Sequence, residues 1–545
     1  MLIKKEYWLL LGIIILSFVL RIVAINWQLP CLYQTEEYKT VNYALRMAAK
    51  KNLNPEFFEY PSLYLYFMLF IYGGLFIVGK ILGFYSSAEN FAVKFFQNPT
   101  MVYVIGRVFS TLFGTLVVLL TYILGKYWYN KRVGIIASLL LGILPIWVVY
   151  SHYIKPEMFS NLLIVLSSLI LYRYYLTKNR TLFYTSCAIL GLAVSSKYLS
   201  LPAGIIIPII YFSLPDNRKK INTFLIGLAI IIIFFIIGTP YAILDYKTFL
   251  TEIKGIVLGP QQGLKRNIIY GLQKTFLDWV FMGNTLPLIG GVGLLGIAYC
   301  MIKRKLEDIL LVSIFCVYSL INITHYFPAW GFLFSAFPFY TIAAGRFVDE
   351  IIDKSLFVKL VFVLIIISSL IESIIVDIKF SLKDTRTLAL EWIVKNIPYG
   401  EKILIDRYPN SPPLKMTKKQ LEKLYKKAVE LNHYKKEYFY WQLKAHPGEN
   451  YGYEIYEVYH PPYEIGTVQH QVEEAQKVRE LIDVSEGIEY IKKFGIKYII
   501  LNSWSKTETV EKFYDEVEKQ CKLIQKFEPK TKLHPGPVIW IYNLQ

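Results

Sequence analysis

Cysteine is scarce: five residues in 545, at positions 31, 187, 300, 316 and 521, with no CxxC and no even framework. That set excludes a cysteine-based zinc module and a disulfide scaffold; only Cys31 and Cys521 could pair, provided both lie outside a membrane. The C-terminal region lacks a Ser-His-Asp spacing, a Gly-rich phosphate loop and a metal-ligand cluster, and the chain shows no internal repeat and no low-complexity tail. "GPQQG" (259–263) has neither the lysine nor the spacing of a nucleotide loop. No small-residue cleavage site follows the apolar run after Lys4-Lys5, so Tyr7 to Trp27 reads as a retained first transmembrane helix. Acidic residues are outnumbered, 41 Asp and Glu against 59 Lys and Arg, for a net charge of +18. The basic residues fall in short clusters between apolar segments. This is the pattern of positive-inside sorting, and it argues against a nucleic-acid partner.

Apolar residues are abundant. The chain is 54% hydrophobic and 16% aromatic, with apolar runs near residues 8–27, 62–83, 101–125, 133–150, 157–176, 181–196, 199–214, 221–240, 284–302, 307–324, 332–347 and 355–376. Lys4-Lys5, Lys126/Lys131/Arg132, Arg173/Lys178/Arg180, Arg218-Lys219-Lys220, Lys303-Arg304-Lys305 and Arg346/Lys354/Lys359 are expected on the cytoplasmic side. The run 62–83 cannot cross fully without breaking this alternation, so it reads as an interfacial or re-entrant helix on the outer side. About eleven spans remain, and their odd number puts the C-terminus outside.

From about Ser381, charged residues and Tyr replace the long apolar runs. "EKILID" (401–406), "IKYIILN" (496–502) and "PVIWIYN" (537–543) read as strands, and 385–396, 417–431 and 507–525 as helices. The expected architecture is therefore an all-α polytopic membrane domain (1–380), with about eleven transmembrane helices plus interfacial helices, followed by a small extracytoplasmic α/β domain (381–545).

The segments left outside are 28–61, 151–159 and 241–280, facing "SSKYLS" (195–200) and "NITHYF" (322–327). They gather Glu36, Glu37, Glu59 and Glu157 on one topological side with Lys155, Lys197, His152 and His325. Carboxylates beside a bilayer are costly unless hydrated or in use. Mixed charge at such a surface suits a reaction between an anionic lipid-linked substrate and a hydroxyl or amine acceptor, with a carboxylate as base and cations stabilising the leaving phosphate.

"TEEYKTVNYALRMAAKKNLNPEFFEYPSLYLY" resembles the first outer loop of the dolichyl-phosphate-mannose protein mannosyltransferase-like family, which includes the lipid A aminoarabinose transferases, in the glycosyltransferase C superfamily. "RVFSTLFGTLVVLLTYILGKYWYNKRVGIIASLLLGILPIWVVYSHYIKPEMFSNLL", "GLAVSSKYLSLPAG", "GTPYAILDYKTF" and "FPFYTIAAG" follow in family order. "DTRTLALEWIVKNIP" and "HPGPVIWIY" extend the likeness into the C-terminal region.

The resemblance implies a multi-pass enzyme of the cytoplasmic (inner) membrane. It would transfer a sugar, with inversion, from a polyprenyl-phosphate donor to a lipid, glycan or protein acceptor on the outer face. The family's catalytic Asp-Glu pair falls on Glu36-Glu37. Glu59 matches an acid that helps bind a metal in the aminoarabinose transferases, which makes it a candidate ligand for a divalent ion; their following Lys is Tyr60 here. Glu157 matches the second-loop acid, and Lys197, beside Tyr198 in "SSKY", matches a family Lys. With Lys155 and His325 these residues make up the expected substrate site. The chain departs from the family at several points: Glu36 replaces Asp and follows Thr35 rather than Pro, Gln261 and Gln262 stand where many relatives carry histidines, and Gly331 stands where an Arg is common. Phosphate contacts then fall to Lys155, Lys197, Lys265, Arg266 and His325. The competing reading is a non-catalytic transporter or lipid-handling relative, although the chain lacks the inverted repeat typical of transporters.

Overall fold

Long apolar segments become helices because a bilayer leaves no water to satisfy backbone N–H and C=O groups. The computed structural model describes residues 2–214, 220–258, 267–282, 286, 288–406, 409–459 and 476–544. Its helices begin with α1 (Leu2–Ile22), α2 (Thr35–Lys50), α3 (Leu63–Ile81), α4 (Ala88–Gln97), α5 (Thr100–Trp128) and α6 (Lys131–Gly142). There follow α7 (Pro145–Ser151), α8 (Pro156–Thr177), α9 (Arg180–Val194), a 3-10 segment (Tyr198–Ile205), α10 (Ile206–Ser213) and α11 (Ile221–Gly238). The helical series continues with α12 (Tyr241–Leu244), α13 (Tyr246–Leu258), α14 (Ile268–Phe281), α15 (Leu288–Lys303), α16 (Leu306–Thr324), α17 (Phe337–Ile351), α18 (Leu356–Ser381) and α19 (Thr385–Asn396).

Among the described residues, six helices are long and apolar enough to cross a membrane, or seven if the pair α6 and α7, bent by 63°, forms one span. The bend falls where Pro145 opens α7, a position that suits proline because its missing N–H would be unpaired there anyway. Three further apolar stretches, Arg180–Val194, Tyr198–Ser213 and Leu288–Lys303, are shorter. A break falls at "SSKYLS", with α9 stopping at Val194 and the chain resuming as a 3-10 segment at Tyr198. The run 62–83 forms one unbroken helix of 19 residues, itself among the six.

The chain divides into two compact units: Met1–Ile25, Glu36–Tyr72 and Ile105–Asp377 in one, and Asn26–Thr35, Gly73–Val104 and Ile378–Gln545 in the other. In the first unit, small residues let helices approach backbone to backbone, as is usual where helix packing has no hydrophobic drive behind it. A Cβ at Gly134 would lie 2.5 Å from the Tyr122 carbonyl, and one at Gly296 would lie 2.3 Å from that of Ala343. The basic joints expected inside meet one another: Lys131 pairs with Glu6 (2.8 Å) and Arg132 with Asp353 (2.6 Å), while Tyr129 donates to Asp308 (2.6 Å). The segments expected outside also meet one another, as the site below shows.

The second unit contains a six-stranded sheet of order β3-β2-β1-β4-β6-β5, with β1 (Lys402–Ile405), β2 (Glu454–Val458), β3 (Leu481–Ile482), β4 (Tyr498–Asn502), β5 (Lys522–Phe527) and β6 (Ile539–Asn543). β1 pairs in parallel with β2 and β4, and β2 with β3, while β6 runs antiparallel to β4 and β5. Alternation splits the core into two faces, with Leu404, Ile499 and Leu501 on one and Ile403, Ile405 and Ile500 on the other. The "DTRT" and "HPGP" stretches close on each other: Thr385 N–H donates to the Pro535 carbonyl (3.1 Å) and its hydroxyl to that of Pro537 (2.6 Å).

Candidate active site

Helix α2 decides the fates of its two leading acids by periodicity. Glu37, Thr40, Val41, Ala44 and Met47 recur every three or four residues and are buried, forming the inward stripe of an amphipathic helix. Glu37 falls on that stripe. Glu36, about 100° away around the axis, falls off it and keeps a third of its side chain exposed.

Glu37 is saturated. Arg107, the one charge in α5 before Lys126, donates Nε to Oε1 (2.9 Å) and Nη2 to Oε2 (2.7 Å). The Ile154 N–H donates to Oε1 as well (3.1 Å), and Arg107 Nη1 donates to the Ile25 carbonyl (2.9 Å). Both side chains are about 98–99% buried. Two charge-assisted bonds and an amide occupy the carboxylate, so Glu37 ties α2 to α5 and to the start of the 151–159 segment. The geometry thus separates the two members of the expected catalytic pair.

Glu36 has looser company. The Tyr60 hydroxyl donates to Oε2 (2.8 Å), Lys39 Nζ lies 3.6 Å from Oε1, and Lys155 Nζ lies 3.9 Å from Oε2. Lys155 itself rests over the Tyr150 ring, 5.2 Å from its centroid. Lys39 Nζ also reaches both oxygens of Glu59 at 3.0 Å. Burial alone would lower the Lys39 pKa, but Glu59 and Glu36 outweigh it and hold the ammonium above the ordinary lysine value. Tyr60 is pushed above the ordinary phenol value as well, first by burial and then by the neighbouring Glu157 and Glu36 carboxylates, so it keeps its proton.

Glu157, in the first turn of α8, pairs with Lys197 at the helix break (3.2 Å). The remaining oxygen, Oε2, is buried and has no hydrogen-bond partner among the described residues. Tyr198 donates to the Phe58 carbonyl (3.1 Å), which ties the 3-10 segment to the loop carrying Glu59. His325 is engaged by its own loop, accepting the Phe327 N–H (3.0 Å) with its ring 4.1 Å from that of Phe332. Of the expected site residues, then, Glu36, Glu59, Tyr60 and Lys155 form one cluster, and Glu157 and Lys197 form a second within electrostatic reach of it. Gln261, Gln262, Lys265 and Arg266 lie outside the described residues.

The sequence reading omits four contributors: Lys39, Arg107, Asp245 and Glu252. Asn54 donates to Asp245 (2.8 Å), and Glu252 accepts the Phe58 N–H, so both acids anchor the Glu59 loop. Burial pushes the Glu252 carboxyl above the usual range. Arg107 carried a readable signal, since a lone Arg in an apolar run calls for a buried partner. Lys39 and Glu252 carried none. Among the described residues, no three His, Cys, Asp or Glu side chains come together as metal ligands, and Glu59 has Lys39 as its direct partner.

Residues 94–243 match the family model for dolichyl-phosphate-mannose-protein mannosyltransferases. No curated protein matches the chain in sequence. Among solved structures, ArnT from Cupriavidus metallidurans in the apo state shares 11% identity at a TM-score of 0.52, over 99% of this chain and 98% of that one. The same enzyme bound to undecaprenyl phosphate gives the same values. The oligosaccharyltransferase AglB from Archaeoglobus fulgidus shares 13% identity at a TM-score of 0.47, over 91% of this chain and 70% of that one. Residues 94–243 are thus similar to the dolichyl-phosphate-mannose-protein mannosyltransferase family, and the chain shares the fold of ArnT along almost its whole length.

Proposed function

We propose that the protein is an inverting glycosyltransferase of the cytoplasmic membrane, moving a sugar from a polyprenyl-phosphate donor to a lipid, glycan or protein acceptor on the outer face. One observation carries this reading: of two adjacent acids, Glu37 is locked by Arg107 while Glu36 remains part-exposed between cations. Glu36 is the base. It takes the proton of the acceptor hydroxyl as that oxygen forms a bond to the anomeric carbon, and the bond from that carbon to the phosphate oxygen breaks on the opposite face. The electron pair leaves with the polyprenyl phosphate, whose charge Lys155 and Lys197 stabilise. Tyr60 orients Glu36 through Oε2 and leaves Oε1 facing Lys39. The outward orientation rests on the positive-inside pattern, which also assigns residues 381–545 to the extracytoplasmic side.

The test is transfer from a labelled polyprenyl-phosphate sugar in membranes containing wild-type protein or Glu36→Gln. The variant should insert and fold normally while transferring nothing. Near-normal transfer by Glu36→Gln would remove Glu36 as the base.

A further inference from the structure

Lys39 sits where a metal would have to sit if Glu59 were a ligand. Its ammonium is 3.0 Å from each Glu59 oxygen and 3.6 Å from Glu36 Oε1, so it bridges the proposed base and the candidate metal-binding acid. Lys39 lies one helical turn after Glu36, on the same face of α2, and its position is therefore set by a helix. A divalent ion chelated by Glu59 would need the same lone pairs at about 2.0–2.6 Å and would meet the lysine charge head on. The other donors are poor ones: Tyr60 spends its proton on Glu36, and no third acid, His or Cys completes a ligand set among the described residues. The donor set does not fit a divalent cation.

We infer that the Lys39 ammonium takes the structural place of a divalent ion, holding Glu36 and Glu59 in register, so that this protein's site is built to work without metal. The inference rests on Glu36 being the base. Lys39 is then a positioning residue, and its charge and reach matter while the metal chemistry of the solution does not.

The experiment uses purified full-length protein, measuring bound metal by mass spectrometry, Mn²⁺ and Zn²⁺ binding by calorimetry, melting temperature, and transfer with and without EDTA. The expected wild-type result is no stoichiometric metal, no Mn²⁺ or Zn²⁺ binding that Glu59→Gln removes, and transfer indifferent to EDTA. Lys39→Ala should lose transfer by ~10-fold or more, as expected for a misplaced base, with its melting temperature kept. Lys39→Arg should retain most transfer, and Lys39→Ala should gain divalent binding dependent on Glu59. The inference is overturned if wild-type protein binds metal through Glu59, if EDTA abolishes transfer and metal restores it, or if Lys39→Ala transfers at the wild-type rate. Should wild-type protein transfer nothing, the proposed function fails, while the metal-binding measurements still decide the role of Lys39. They decide it equally if Lys39→Ala does not fold.

Discussion

Replacing Arg107 with Ala should destabilise the packing of α2 against α5 in the first unit before it affects chemistry. The substitution removes two bonds to Glu37, at 2.9 and 2.7 Å, and one to the Ile25 carbonyl. Charged hydrogen bonds contribute ~1.5–3 kcal/mol each, so the two to Glu37 sum to a loss of ~3–6 kcal/mol. That agrees with the ~3–5 kcal/mol observed when one partner of a buried pair is removed. Among the described residues Glu37 would keep the Ile154 N–H as its hydrogen-bond donor and would remain buried. Arg107→Lys retains the charge without the fork and should fall between the two. The double variant Glu37→Leu/Arg107→Leu leaves no buried charge at this pair and should be more stable than Arg107→Ala; with the single variants Glu37→Leu and Arg107→Leu it should show a coupling of several kcal/mol in the double-mutant cycle. Thermal unfolding of the purified proteins in detergent measures each of these variants against wild type. The reasoning fails if Arg107→Ala melts with the wild type, or if the two single losses simply add in the double variant.

Three other outcomes follow from the same contacts. Glu252→Gln keeps an acceptor for the Phe58 N–H and removes a partly buried charge, so it should be as stable as wild type or more so. Because the native pKa of Glu252 is raised by burial, its carboxyl favours the folded state below the ordinary Glu pKa and loses that contribution as pH rises through the native value. The advantage of the Gln variant should therefore grow from about pH 4.5 upward and vanish below it in pH-dependent melting curves. Lys197→Met strands the buried Glu157 and should lower both melting temperature and transfer, whereas adding Glu157→Gln should recover the melting temperature alone. Gly536 has φ +102°, and a Cβ there would lie 2.1 Å from Thr385 Oγ1; Gly536→Ala should cost ~1–3 kcal/mol, read as early unfolding of the full-length chain's C-terminal unit by hydrogen exchange.

The sequence makes the apolar helices legible because 15 to 30 residues of uninterrupted hydrocarbon admit only one backbone solution in a bilayer. Helices α13 and α14, which carry more polar residues, stand out less, and residues 241–280 read only as an outer loop. In the C-terminal unit, β1, β4 and β6 are apolar enough to read as strands. β2 ("EIYEV") is interleaved with Glu, β3 is two residues long, and β5 follows its helix so closely that 507–525 reads as one helix where the structure ends it at Gln520. Pairing with distant strands makes β2, β3 and β5, and that information is not local. The site divides in the same way. Glu36, Glu59, Glu157 and Lys197 stand in recognisable stretches, but the contrast between Glu36 and Glu37 depends on which stripe of α2 turns inward and on an Arg 70 residues downstream. The i+3, i+4 pattern of Val41, Ala44 and Met47 contains that answer once α2 is known to pack.

The central claim, that this chain glycosylates an outer-face acceptor using Glu36, is tested most directly by mass spectrometry. Membrane glycolipids, glycans and glycoproteins would be compared between a deletion strain and the same strain carrying either wild-type protein or Glu36→Gln at equal membrane levels. One sugar-bearing species should vanish on deletion and return with wild-type protein but not with Glu36→Gln. Identical profiles in all three strains, or recovery of the species by Glu36→Gln, would contradict the account.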